Sequence, residues 1–133
     1  MGIHFQFEAP RDDICYVVFE PAWTWDDFDA QIDAITAQIR SRRKPVATLM
    51  DMTRIGPMPT GNVLAHLQRA SSLMPANVDI NVFVNAPYAL INFVAILMRM
   101  RPRLHETTFF AHSLDEGYLI VAERRKHKAS LAS

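Results

Sequence analysis

Apolar and polar residues alternate through IHFQF at residues 3–7, the two-residue period of a strand with one buried face. The run ICYVVF at 14–19 is continuously apolar and rich in β-formers, and APRDD between the two runs reads as a turn, so the chain is expected to open as a hairpin. Thr24 then heads TWDD. Its hydroxyl suits a helix N-cap, the acids sit at the helix's positive end, and Trp23 is placed to staple against Phe28 across the cap. Phe28, Ile32, Ile35 and Ile39 recur at helical spacing, while Asp26, Asp29 and Asp33 fall on the solvated side. The bases before Pro45 close this helix, and VATLMD at 46–51 is a short strand.

Val63, Leu64, Leu67, Ala70, Ser71 and Met74 mark a second helix that Pro75 stops, and residues 79–85 alternate as a strand. A third helix opens at Pro87. Residues 104–111 read as a last strand, and Ser113 with Glu116 forms a capping box for a final helix turning Leu114, Tyr118 and Val121 inward. The order ββαβαβαβα predicts an α/β fold with a single mixed sheet, helices packed on it as crossovers, and antiparallel pairing at the opening hairpin. One domain is expected over residues 1–123. The basic, polar residues 124–133 are expected to fray as a tail.

At 133 residues, half of them apolar, the chain can bury one continuous core without staples. Its single cysteine, Cys15, lies in a strand-like run and reads as a small core hydrophobe. The N-terminus lacks the pattern of a secretory signal, and the longest apolar stretch, 86–98, is too short to span a bilayer, so a cytoplasmic protein with no membrane span is expected. The zero net charge conceals polarity: residues 1–40 hold eight acids against two bases, net −6, which leaves +6 in the remainder. The bases are scattered over several elements. That pattern suits a solvated surface better than nucleic-acid binding.

The five histidines show no metal-ligand spacing, and there is neither a Gly-x-Ser-x-Gly elbow nor a phosphate-cradling glycine loop. Thr60, His66 and Asp51 fall around one loop, but three such common types without diagnostic spacing do not make a triad. No enzyme, cofactor or metal is expected. Two features stand out. In the third helix Leu90, Ile91, Val94, Leu97 and Met98 already form a core stripe, and Tyr88, Phe93, Ile96 and Met100 widen it beyond what one sheet face needs. The excess suggests a homodimer contact or a nonpolar ligand.

The other feature is DMTRIGPMPTGN at 51–62, a loop with two prolines and two glycines between a strand and a helix. Thr60 reads as the N-cap of the helix starting at Val63. The element order, the strand ending in Asp51 and the loop leading to Thr60 and Gly61 together resemble the STAS family, the sulfate-transporter and anti-sigma-factor-antagonist domain. In that family a strand-end Asp is followed by a loop and a helix start whose first Ser or Thr is phosphorylated by a partner kinase. The resemblance covers roughly residues 14–122. It puts Asp51 at the strand end, Ile55 at the apolar loop position and Thr60 at the phosphoacceptor position. Pro59 stands where the family has an acid, and Asn62 replaces the following glycine, which marks a divergent, stand-alone member. The resemblance implies a non-catalytic regulatory domain that acts through a protein partner or a second copy of itself, switched at Thr60. Asp51, Thr53, Arg54, Pro59, Gly61 and Asn62 would form the interaction loop. The alternative is a small protein holding an apolar or lipid-like molecule between the sheet and the third helix, with Tyr88, Phe93, Ile96 and Met100 as the decisive residues.

Overall fold

A computed structural model describes residues 2–132; Met1 and Ser133, the outer bounds of the expected domain and tail, lie outside the described residues. The chain runs β1 (Ile3–Phe7), β2 (Ile14–Phe19), α1 (Trp25–Ser41), β3 (Val46–Asp51), α2 (Val63–Leu73), β4 (Val78–Val84), α3 (Tyr88–Met100), α4 (Pro102–Thr107), β5 (Thr108–Ala111) and α5 (Leu114–Ala132). The strands lie side by side in chain order as one sheet. β1 pairs antiparallel with β2 and every later pair is parallel, which is the mixed sheet expected from the opening hairpin.

Stepping always in one direction with right-handed crossovers puts the connecting helices on the same side of the sheet. Residues of α1 to α4 pack in one core with β1 to β4, including Phe28, Ile32, Leu67, Val94 and Leu104. The opposite face is left to the terminal helix. There Val121 covers Ala47, Leu49, Ile80, Val82 and Val84, with Leu114 and Tyr118 at the margin. Among the described residues no helix is long and apolar enough to cross a membrane.

Local signals act largely as expected. Thr24 caps α1 through a reciprocal box with Asp27, and Trp23 packs on Phe28 at a ring separation of 6.4 Å. Ser113 accepts from the Glu116 amide at 3.1 Å, and the Glu116 carboxylate accepts in return from the His112 amide at 3.2 Å.

Three expectations need correction. Residues 104–107 are not strand: Pro102 starts the short helix α4, where its missing N–H goes unneeded, and β5 begins at Thr108. The 124–132 segment is not frayed but continues α5. Arg125 holds that helix down, gripping Asp79 at 3.1 and 3.2 Å and reaching Asp13 at 3.1 Å. Thr60 is not the cap of α2. Asn62 takes that role, its side-chain oxygen accepting from the Ala65 amide at 3.1 Å.

Candidate functional site

The loop from β3 to α2 is tied down at both ends. Asp51 ends β3, and its carboxylate accepts from the Tyr16 hydroxyl at 2.6 Å on one oxygen and from the Thr53 hydroxyl and amide at 2.7 and 3.1 Å on the other. Asn85, past the end of β4, donates to the Thr53 hydroxyl at 2.9 Å. Burial raises the Asp51 carboxyl's affinity for its proton, but the donors from Tyr16 and Thr53 favour the carboxylate more, so its pKa falls below the ordinary value. Burial first, then the bond to Asp51, pushes the Tyr16 phenol up to about 12. Both carboxylate oxygens are engaged. Asp51 therefore works as a hub joining β2, β3 and the loop, and is poorly suited to abstracting a proton.

Further along, Trp23 Nε1 donates to the Ile55 carbonyl at 3.1 Å and Trp25 Nε1 to the Pro59 carbonyl at 3.2 Å. Ile55 is buried, while Thr53, Arg54, Thr60, Gly61 and Asn62 are exposed and Pro59 half-exposed. Gly61 has a φ of 143°, open to glycine and strained for other residues, and a Cβ there would sit 3.0 Å from the Trp25 ring. The two indoles thus present Thr60 to solvent on an anchored loop. The loop residues are brought together as a surface. The triad of Thr60, His66 and Asp51 is not: His66 Nδ1 lies 3.0 Å from Asp29, and its ring stacks on Trp25 at 4.7 Å.

Beneath the helices lies a partly open cavity of about 100 Å³. Its walls come from α1 (Trp25, Phe28, Ile32, Ile35), from α2 (Leu67, Ala70) and Met74 just past it, from α3 (Leu90, Val94, Leu97) and from the sheet (Phe19, Thr48, Met50, Asn81, Phe83). Among the described residues no charged side chain lines it. Its polar side chains are Thr36, Thr48, Ser71 and Asn81, and Trp23 also reaches it.

None of Tyr88, Phe93, Ile96 and Met100 lines this cavity. Tyr88 is 86% exposed, Met100 61% and Ile96 40%, so they face outward, whereas Phe93 is half-buried against the core. Sequence reasoning looked for ligand-holding residues on the outer part of α3; the structure places the space on its inner side. The missed signal was in the strands, where Thr48 and Asn81 are polar at positions that point under the helices.

Comparison with family models, with curated proteins and with solved structures finds no match to this chain.

Proposed function

We propose that this protein binds a small apolar molecule in the cavity between the sheet and α1, α2 and α3. The cavity itself carries the reading. Protein interiors pack as densely as organic crystals, so an apolar space of about 100 Å³ among core side chains departs from ordinary packing and offers room for a ligand. An engineered apolar cavity of about 150 Å³ takes up benzene or xenon, so this space suits a compact hydrocarbon body. α2 forms one wall and holds to the core through a single buried residue, Leu67, so it is an element that can open at low cost. The function needs no chemistry, in keeping with the engaged state of Asp51 and His66.

Benzene titration, followed by tryptophan fluorescence and thermal unfolding, tests this reading, because Trp23 and Trp25 both reach the cavity. Saturable quenching with a raised Tm is expected, and Ala70→Leu, which fills the space from α2, should abolish it. A wild type that shows no saturable response sinks the proposal.

A second reading, association through the Thr60 loop, is favoured by the exposed hydroxyl on an indole-anchored loop beside the α2 N-terminus, where added phosphate would meet free amides. On this reading the protein is a STAS-like regulatory domain, and the outward Tyr88, Ile96 and Met100 extend the contact to a partner or a second copy. Phosphate on Thr60 in peptide mass spectra of protein from its native cell supports the switch. Unmodified Thr60, with a wild type and Ile96→Glu that both sediment as monomers, rejects it.

A further inference from the structure

The sheet face under the helices carries one polar row. Thr48 in β3, Asn81 in β4 and Thr108 in β5 are direct cross-strand partners. They share the helix-covered face, since two residues further along the strands come Met50, Phe83 and Phe110, with Phe83 and Phe110 stacked at 5.7 Å. Sheet beneath packed helices is normally apolar here, because a polar group removed from water must find a partner.

This row does not balance itself. The Thr48 hydroxyl donates to Asn81 Oδ1. Asn81 Nδ2 has two hydrogens, and its partner is the Met74 sulfur at 3.1 Å, a weak acceptor. Turning the carboxamide over would set its oxygen against the sulfur lone pairs, so the nitrogen belongs on that side. Thr108, only 4% exposed, continues the row outside the cavity lining, and its hydroxyl has no hydrogen-bond partner among the described residues. Thr48 and Asn81 do line the cavity, whose other polar side chains, Thr36 and Ser71, donate to the Asp33 and Gln68 carbonyls, so the underused donor there is the Asn81 amide.

We propose that Asn81 is the polar end of the cavity and selects an uncharged molecule with one hydrogen-bond-accepting oxygen, such as a small ketone, aldehyde or alcohol on a hydrocarbon body. This rests on the cavity being a binding site, as argued above. The ligand's oxygen accepts from Asn81 Nδ2, and Thr48 fixes the carboxamide so that this donor points inward. The ligand's hydrocarbon part meets Phe28, Ile35, Val94 and Leu97. A carboxylate is disfavoured because no cation lines the space to offset its lost hydration. The size limits the body to about that of benzene.

A matched pair of probes tests the assignment: cyclopentanone, and methylenecyclopentane, which has the same shape without the oxygen. Tryptophan quenching gives both affinities in wild type and in Asn81→Leu. The ratio of ketone to hydrocarbon affinity is expected to fall about tenfold in the variant, the loss of one well-placed hydrogen bond. In wild type, the Asn81 side-chain amide resonances should move with the ketone and stay with the hydrocarbon, a readout that holds even if the variant fails to fold. Cyclopentanecarboxylate should not bind. An unchanged ratio, amide resonances indifferent to the ketone, or tight carboxylate binding each overturn the role of Asn81 while leaving the cavity reading intact. If neither neutral probe binds wild type, the cavity reading fails, and this inference with it.

Discussion

Asn62 and Thr60 show how two good capping residues within one turn of each other compete. The residue that caps is the one with its oxygen over the first free amides, and the 143° φ of Gly61 swings Asn62, not Thr60, into that place. The sequence pointed to Thr60 and had no means of locating the swing, because it comes from how Gly61 meets Trp25. Asn62→Ala should therefore destabilise by about 1 kcal/mol in denaturant unfolding, with Thr60→Ala close to neutral; the reverse order would contradict the geometry. Asp51 was readable as a strand end, but its bond to Tyr16, 35 positions away, was not. Because its pKa is lowered on folding, Asp51 adds stability that is complete above the ordinary carboxyl value of 3.8 and is lost as pH falls through its folded value. Tyr16 behaves oppositely. Its contribution is complete below 10 and disappears as pH rises towards about 12. The stability gap between wild type and Asp51→Asn, measured by unfolding at a series of pH values, should be steady at neutral pH and shrink in acid below 3.8.

Helices and strands followed from periodicity because each amphipathic stripe faces one sheet, and the stripes of α1 and α5 were legible for that reason. The extent of α3's buried side was not: Phe93 joins the core and Ile96 faces out, a division set by where α2 and α4 lie against it. The 104–111 run was misread because β-formers near its end masked a proline-started turn of helix. The fit of α5 on the sheet gives a counterintuitive expectation at Gly117. Glycine inside a helix usually gains about 1 kcal/mol on becoming alanine. Here the added carbon would lie 2.9 Å from Leu49 Cδ2 and 3.1 Å from Val84 Cγ2, both of them fully buried. Overpacking of that kind costs about 1–3 kcal/mol, so Gly117→Ala should lower stability by about 1 kcal/mol in thermal or denaturant unfolding. A stabilised variant would show that α5 sits loosely.

Across the whole molecule, the acidic first part and basic remainder meet in ion pairs on the surface of the fold. Asp12 pairs with Arg42 at 3.5 Å, Asp33 with Arg69 at 2.7 Å, and Asp13 with Arg125 at 3.1 Å. The charge polarity was plain in the sequence, but its use was not, because pairing depends on which helix crosses which strand. Arg125 matters most among these bases, as it joins the terminal helix to the start of β4 and to the turn before β2. Arg125→Ala is expected to cost about 2 kcal/mol by denaturant unfolding, and Arg125→Lys should recover only part of it because the two-pronged grip on Asp79 needs a guanidinium. The cavity was the least legible feature. Empty space arises from how side chains from six or more elements fail to meet, and no window of sequence contains that information.

The spatial order of the strands is also the order in which a ribosome makes them. After β1, each new strand emerges to find a partner already synthesised. The layer made by α1 to α4 can close as it is translated. The other face behaves differently: Ala47, Leu49, Ile80, Val82 and Val84 stay bare until the last nineteen-residue helix clears the exit tunnel. A chain that stops a few dozen residues early would carry a finished helical side and a naked aliphatic one. Loss of α5 alone would therefore bare that aliphatic face while leaving the layer of α1 to α4 in place.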